Sequence, residues 1–317
     1  MFHLLPQGPI PLDQITRMKE QVQRALFNNV PQPLPEKLWH YTDAGGCKGI
    51  IENGRLRATH LAHLNDASEY LHAVSILVEA IRSEKAQKVS SLRQTVLEEL
   101  EAFVTHTKPE DTASVFVACF SIAENSLNQW RAYGNGEGGY CLGFETKRLF
   151  EIDRENGMLV PVIYDKAIQT SLIASLLQWA LNEYEELCAI DTTLGSDRSR
   201  RILWWNWFVI IGAASVAPVL KNPAFQEEAE WRYIHLATEN SDIEFLPRPL
   251  GLRPYIDLDF RVQLAPTDPT LRLPLTDLWS GPGRRSGVSL MAGRVLLEKH
   301  KYGGINLHSS EIPFRVG

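Results

Sequence analysis

The sequence predicts an α+β domain whose sheet is interrupted by helices. Short runs rich in β-forming residues, such as Lys37 to Thr42, Ser114 to Ser121 and Gly139 to Phe144, alternate with longer segments of helical period. Their order never settles into a repeating βαβ unit, which argues against a doubly wound sheet. Two helical segments, Ser68 to Ala86 and Ser90 to Thr107, follow one another directly and read as an insertion between strands. With 317 residues, 44% hydrophobic and 22% charged, the chain has enough apolar content to bury a substantial core. Residues 1–35 are expected to form a helical leader, and residues 36–317 a single domain with the helical insertion at about 68–107.

Taken in order, a helix is expected over Leu12 to Asn28, stopped by the proline-rich turn Pro31 to Pro35. Lys37 to Thr42 reads as a strand, Ala44 to Asn53 as a short helix ended by Gly54, and Arg55 to Thr59 as a second strand. After the paired helices come the Ser114 to Ser121 strand, a helical turn at Ser126 to Tyr133, and the glycine-bounded strand Gly139 to Phe144. Helices are expected at Lys166 to Leu187 and Arg200 to Leu220, then strands at Trp231 to Ala237 and Tyr255 to Leu264. A helix near Ser286 to His300 leads into a last strand around Gly304 to Leu307.

Composition narrows the partners. A net charge of −6 and a pI near 5.9 provide no broad basic surface for a nucleic-acid backbone. The cysteines Cys47, Cys119, Cys141 and Cys188 form no C-x-x-C pair and read as small buried hydrophobes of a reducing compartment. The N-terminus lacks a basic stretch followed by an apolar one, so a cytoplasmic location is expected. The uncharged run Ile202 to Leu220 reaches spanning length, yet Asn206, Pro218 and the flanking Arg201 and Lys221 favour a buried helix behind the sheet over a membrane segment.

Chemistry is concentrated in F-Q-E-E-A-E-W-R, Phe225 to Arg232, which sets Glu228 and Glu230 two residues apart at the expected start of a strand. Acids at i and i+2 of a strand share a face, where like charges disfavour joint ionisation; the plain alternative is a solvated edge strand beside Arg232 and Lys221. His40, in L-W-H-Y-T-D, is placed to bond a ligand at the sheet edge, or else is a satisfied structural histidine. His60, His63, Asp66 and Glu69 are metal-ligand types at steps of three, although Asp66 and Glu69 also match a helix cap. Between Cys119 and Phe144, Ser121, Gln129, Trp130 and Tyr133 precede the glycines Gly134, Gly136, Gly138 and Gly139. Aromatic faces beside such a loop suit a flat heteroaromatic ligand, or equally a glycine-rich hairpin over core aromatics. No P-loop, no Rossmann fingerprint in its strand–helix setting and no G-x-S-x-G elbow is present.

The ordered blocks L-W-H-Y-T, H-L-N-D-A-S-E, C-F-S, N-Q-W-R-A-Y-G, Y-C-L-G-F, K-N-P-A-F-Q-E-E-A-E-W-R, S-G-P and S-E-I-P-F-R, spread from Leu38 to Arg315, resemble a bacterial family known as domain of unknown function 2971. That family in turn resembles ADP-ribosyltransferases. The resemblance implies a split mixed or antiparallel sheet and NAD as the substrate. Carried over by position, His40 and Thr42 would hold the nicotinamide-side ribose, Ser121 would support the site, and Trp130 or Tyr133 would stack on nicotinamide. Glu230 would stabilise a ribosyl cation, and Glu228 would act as base on a protein or nucleic-acid acceptor. The chain lacks a G-x-Y-F block and has a long segment between His40 and Ser121.

NAD-dependent ADP-ribosyl transfer is therefore the expected function. A non-catalytic module that binds a nucleotide or a partner on the same fold is the second reading, and a metal-dependent hydrolase the third. The transferase reading requires His40, Ser121, Trp130 and Glu230 to converge in one pocket, and it fails if His40 and Glu230 take opposite faces of the sheet.

Overall fold

A computed structural model describes residues 12–28, 33–64, 68–106, 115–134, 138–151, 157–201, 216–237, 241–249, 251–265 and 268–313. Its strands are β1 (Lys37–Thr42), β2 (Arg55–His60), β3 (Val115–Ser121), β4 (Tyr140–Glu145), β5 (Gly157–Pro161), β6 (Glu230–Leu236), β7 (Glu244–Arg248), β8 (Gly251–Asp259), β9 (Val262–Ala265), β10 (Asp268–Arg272), β11 (Leu275–Ser280) and β12 (Asn306–Ser309). The helices are α1 (Leu12–Phe27), α2 (Ala44–Asn53), α3 (Ser68–Lys85), α4 (Ser91–His106), α5 (Leu127–Tyr133), α6 (Thr146–Glu151), α7 (Lys166–Ile190), α8 (Thr192–Ser196) and α9 (Ser286–Lys299). The fold is α+β with a mixed, mostly antiparallel sheet: among the described strand pairs only β11 with β12 is parallel, and an isolated bridge, Ile163↔Leu220, is parallel too.

The sheet runs β12-β11-β4-β1-β3-β2-β8-β7, and a branch leaves it through β6 and β5. The branch arises at β3. Along one edge β3 pairs with β6 from Val115↔Leu236 to Ser121↔Glu230. Its other edge is shared, with β1 at Trp39↔Ser121 and with β2 at Thr59↔Val117 and His60↔Phe116. β1 and β2 therefore part around the middle of β3, leaving the carbonyl of Cys119 to a side-chain partner, the Nδ1 of His40 at 2.8 Å.

Strand alternation divides the core between the two faces. Leu38, Phe120, Leu142, Phe144, Trp231 and Tyr233 point to one face, together with residues of α2 and α9. Val115, Val117 and Ile234 point to the other, under α3 and α7. Near β1 and β4 that second face carries an aromatic cluster of Trp39, Tyr41 and Trp130, with Tyr133 and Trp279 packed on it. Local signals explain the ends of α2: the Asp43 carboxylate accepts from the Gly46 amide at 2.7 Å, and Gly54 at φ 65° closes it in the left-handed conformation.

Several expected elements change. β5, β7 and β11 carry no alternation strong enough to announce them; their pairing partners form them instead. The expected strand Tyr255 to Leu264 divides into β8 and β9. Of the run Ile202 to Leu220, residues 202–215 lie outside the described residues; Ala217–Val219 is a buried 3₁₀ turn, so the helix does not reach Leu220. Among the described residues no helix is long and apolar enough to cross a membrane.

Candidate functional site

Glu228 and Glu230 are not neighbours on one strand. A 3₁₀ helix, Pro223–Glu228, begins at Asn222, whose side chain caps the Ala224 amide, and ends at Ala229 in the left-handed conformation with φ 45°. Glu230 then opens β6. This turn swings Glu228 toward the surface, with its side chain 27% exposed, while that of Glu230 is only 4% exposed. Two side chains hold the turn: Ser121 Oγ and Gln129 Nε2 donate to the Glu228 carbonyl at 2.7 and 3.2 Å. A non-glycine residue in that conformation persists only where its surroundings over-determine it.

Both carboxylates nevertheless meet one cation. Lys221 Nζ lies 2.5 Å from Glu228, 3.0 Å from Glu230 and 3.2 Å from Glu69. Arg232, on the same face of β6 as Glu230, donates to Glu230 at 2.8 Å, to both oxygens of Glu69 at 2.7 and 2.9 Å, and to the Pro218 carbonyl at 2.6 Å. Three carboxylates against two cations leave the network one negative charge in excess. Burial alone would raise the Glu230 carboxyl, but Arg232 and Lys221 outweigh it and bring it down to about 2. Burial likewise disfavours charge on Lys221, yet Glu230 and Glu69 hold it well above the ordinary lysine range. Glu230 is therefore a fixed anion sealed by two cations, unable to exchange a proton near neutrality.

Tyr133 stands over this network on the α5 side, partly exposed. Burial first, then the electrostatic influence of Cys119, Glu230 and Glu228, push its phenol well above the usual range. Tyr164 completes the rim, its hydroxyl accepting from the Glu230 amide at 3.1 Å. Trp130 does not belong to the rim. It is 1% exposed, its indole donates to Asn125 Oδ1 at 3.0 Å, and the Tyr41 ring meets it edge-on at 4.8 Å. The expectation that Trp130 offers a stacking face is corrected: its ring is buried in the aromatic cluster, and Tyr133, one turn later on the same side of α5, packs against that cluster while staying partly exposed. S-G-P also gains a role, since a side chain at Gly281 would collide with the Gly138 carbonyl and with Trp130. Gly281 lets β11 seat the glycine loop, whose residues 135–137 lie outside the described ones.

His40 does not converge with these groups. Trp39 pairs with Ser121 and Ser121 with Glu230, so those three share a face. His40 and Thr42, one residue on either side of Tyr41, point to the opposite one. The His40 ring packs edge-on against Phe120 of that face, and β1 lies inside the sheet rather than at an edge. Burial lowers its pKa, an effect only partly offset by the Cys119 carbonyl, so it is a neutral structural imidazole that closes the split between β1 and β3. Of the expected residues, Ser121, Glu228 and Glu230 lie together with Tyr133 near them, whereas His40 and Thr42 face the other side of the sheet and Trp130 is buried.

The metal reading also changes. Glu69 is engaged by Arg232 and Lys221, Asp66 lies outside the described residues, and among the described residues no group of three or more His, Cys, Asp or Glu side chains could hold a metal ion. Sequence reasoning passed over Glu69, Lys221, Arg232 and Tyr164 as members of the Glu230 site. Lys221 and Arg232, two basic residues flanking the acid pair, are a signal for it, but the same pattern fits a solvated edge strand equally.

The family comparison falls on this part of the chain. Residues 129–233 match the family described as Protein of unknown function (DUF2971). That is about a third of the chain, and it contains Gln129, Trp130, Tyr133, Lys221, Glu228, Glu230 and Arg232, while the blocks around His40, Asp66, Ser121, Ser280 and Ser310 lie outside it. No curated protein and no solved structure shows a significant match.

Proposed function

We propose that the chain is a binding module that takes a nucleotide at the Tyr133–Glu228 rim without breaking it. The observation that supports this reading is the burial of Glu230: the acid is 5% exposed and carries both Arg232 and Lys221 on its Oε2, whereas Glu228 reaches the surface. Glu228 is accessible, and it sits with a partly exposed tyrosine. A carboxylate accepts paired ribose hydroxyls, and an aromatic face beside it accommodates a base. The excess negative charge places the nucleoside half, rather than the phosphates, against the network.

ADP-ribosyl transfer drops to the second reading: His40 and Glu230 take opposite faces of the sheet, the placement that reading excludes, and what it keeps is Ser121 beside Glu230 on one face. In that chemistry the bond from ribose C1′ to nicotinamide breaks, nicotinamide leaves with the bonding pair, the acceptor attacks C1′, and its proton passes to Glu228. The opposite placement of His40 counts against it.

Calorimetric titration with NAD, followed by assay of free nicotinamide, separates the two. The module reading expects saturable binding, no nicotinamide release, and at least about tenfold weaker binding in Glu228→Ala, the loss of one charged hydrogen bond. Nicotinamide release that falls by roughly two to three orders of magnitude in Glu230→Gln, with slow hydrolysis surviving in Glu228→Ala, would establish the transferase instead. Absence of binding to NAD, adenosine and nicotinamide riboside alike would overturn both.

A further inference from the structure

We infer that Gln129 is the specificity residue of the Tyr133–Glu228 rim, where its side-chain oxygen selects a base carrying an exocyclic amino group, an assignment that rests on the rim taking a nucleotide. Gln129 lies in the first turn of α5 and is 5% exposed. Its Nε2 donates to the Glu228 carbonyl at 3.2 Å. A carbonyl only accepts, so this bond fixes the two ends of the amide: the nitrogen faces Glu228 and the oxygen is displayed. That Oε1 takes no hydrogen bond among the described residues, nor is it one of the sealed side-chain atoms left without a partner there. Tyr133 follows four residues later on the same side of α5, so an aromatic ring and an open acceptor stand together beside the Glu228 turn.

The other polar groups of the turn are committed. Ser121 Oγ gives its one proton to the Glu228 carbonyl at 2.7 Å and accepts from the Ala123 amide at 3.0 Å. With Gln129 on it as well, that carbonyl has both lone pairs taken. Lys221 occupies one oxygen of the Glu228 carboxylate, and Asn128, beside Gln129 on α5, donates to Glu227 at 2.8 Å. The turn is left with two acceptors to offer, the second carboxylate oxygen of Glu228 and the Oε1 of Gln129. A nearly buried amide oxygen is paired on binding only if the ligand brings an N–H, and an exocyclic amino group brings two on one nitrogen. A carbonyl in its place, as in inosine against adenosine, sets acceptor against acceptor. The carboxylate instead meets ribose hydroxyls, which both nucleosides share.

Calorimetric titration of the full chain with adenosine and with inosine reads the selection as a ratio of dissociation constants. Adenosine is expected to bind at least about tenfold more tightly, the effect of leaving one buried acceptor unpaired. Gln129→Met, close in volume and lacking the amide, should bring the ratio to within about twofold, whereas Glu228→Ala should weaken both nucleosides and preserve it. A purely structural Gln129 would lower both affinities together with the ratio unchanged, which overturns the assignment. So does a wild-type chain that binds the two nucleosides equally or prefers inosine, an outcome that depends on no variant. A ratio that moves in Glu228→Ala but not in Gln129→Met gives the amino group to the carboxylate and removes Gln129 from the role. Binding of NAD with neither nucleoside overturns the selection and leaves the nucleotide reading standing, whereas binding of none of the three overturns both.

Discussion

Arg232 grips Glu69 through two parallel hydrogen bonds of 2.7 and 2.9 Å, fastening the first turn of α3 to the middle of β6 across 163 positions of sequence. Both side chains are sealed from solvent, at 2% and 4% exposure. Their pairing fixes which way α3 leaves the strand before it, and it brings Glu69 within reach of Lys221.

Removing one partner of that pair leaves a buried charge unanswered. Arg232→Ala and Glu69→Ala should each cost about 3–5 kcal/mol in urea unfolding. Glu228→Ala, losing a part-exposed pair, should cost no more than about 1 kcal/mol. Equal losses in all three would show that Glu228 is as internal as its neighbours and would remove it from the rim.

Glu230 gives acid sensitivity with a defined sign. Its folded pKa, depressed to about 2 from an ordinary 4.5, means that its stabilisation is complete above the unfolded value and is lost as pH falls from 4.5 toward 2. The total is on the order of 3 kcal/mol. In Glu230→Gln, stability measured against pH should flatten in that window. Asp277, also brought to about 2 as its bonds from Lys37, Thr276, His308 and Asn306 outweigh burial, keeps the variant's remaining acid response. An unchanged slope would mean that Glu230 does not carry the ion pairs described.

Trp130 serves packing. Trp130→Ala should destabilise by about 3–5 kcal/mol, as for other large core aromatics, whereas Trp130→Phe should keep nucleotide affinity within about twofold while losing some stability. A stacking residue would behave the other way round, with affinity falling first. Titration calorimetry beside thermal melts distinguishes them.

At Gly281 there is no room for a methyl group against the Gly138 carbonyl. Gly281→Ala should cost about 1–3 kcal/mol and displace the glycine loop that follows Tyr133. Ligand affinity should drop with it, because that loop leaves directly from Tyr133 of the rim. A variant as stable and as tight-binding as wild type would separate the loop from the site.

Local signals carried much of the fold. Helical period marked α3, α4 and α7, and Asp43 with Gly54 bounded α2, because these features depend on residues a few positions apart. The E-x-E pair is legible for the same reason, its two acids being close in sequence. Strands such as β5 and β11 were not legible, since their residues are chosen by neighbours across the sheet.

By itself, the sequence determined an α+β chain of alternating strands and helices, with candidate side chains at His40, Thr42, Ser121, Trp130, Tyr133, Glu228 and Glu230. Only the tertiary structure decided which of them meet. The Trp39↔Ser121 register turns His40 to the far face, since a strand side chain one residue away points the opposite way. Ala229, left-handed at φ 45°, parts Glu228 from Glu230. Lys221 and Arg232 then close around Glu230 and share themselves with Glu69, because a buried carboxylate must find its counter-charges wherever the fold brings them.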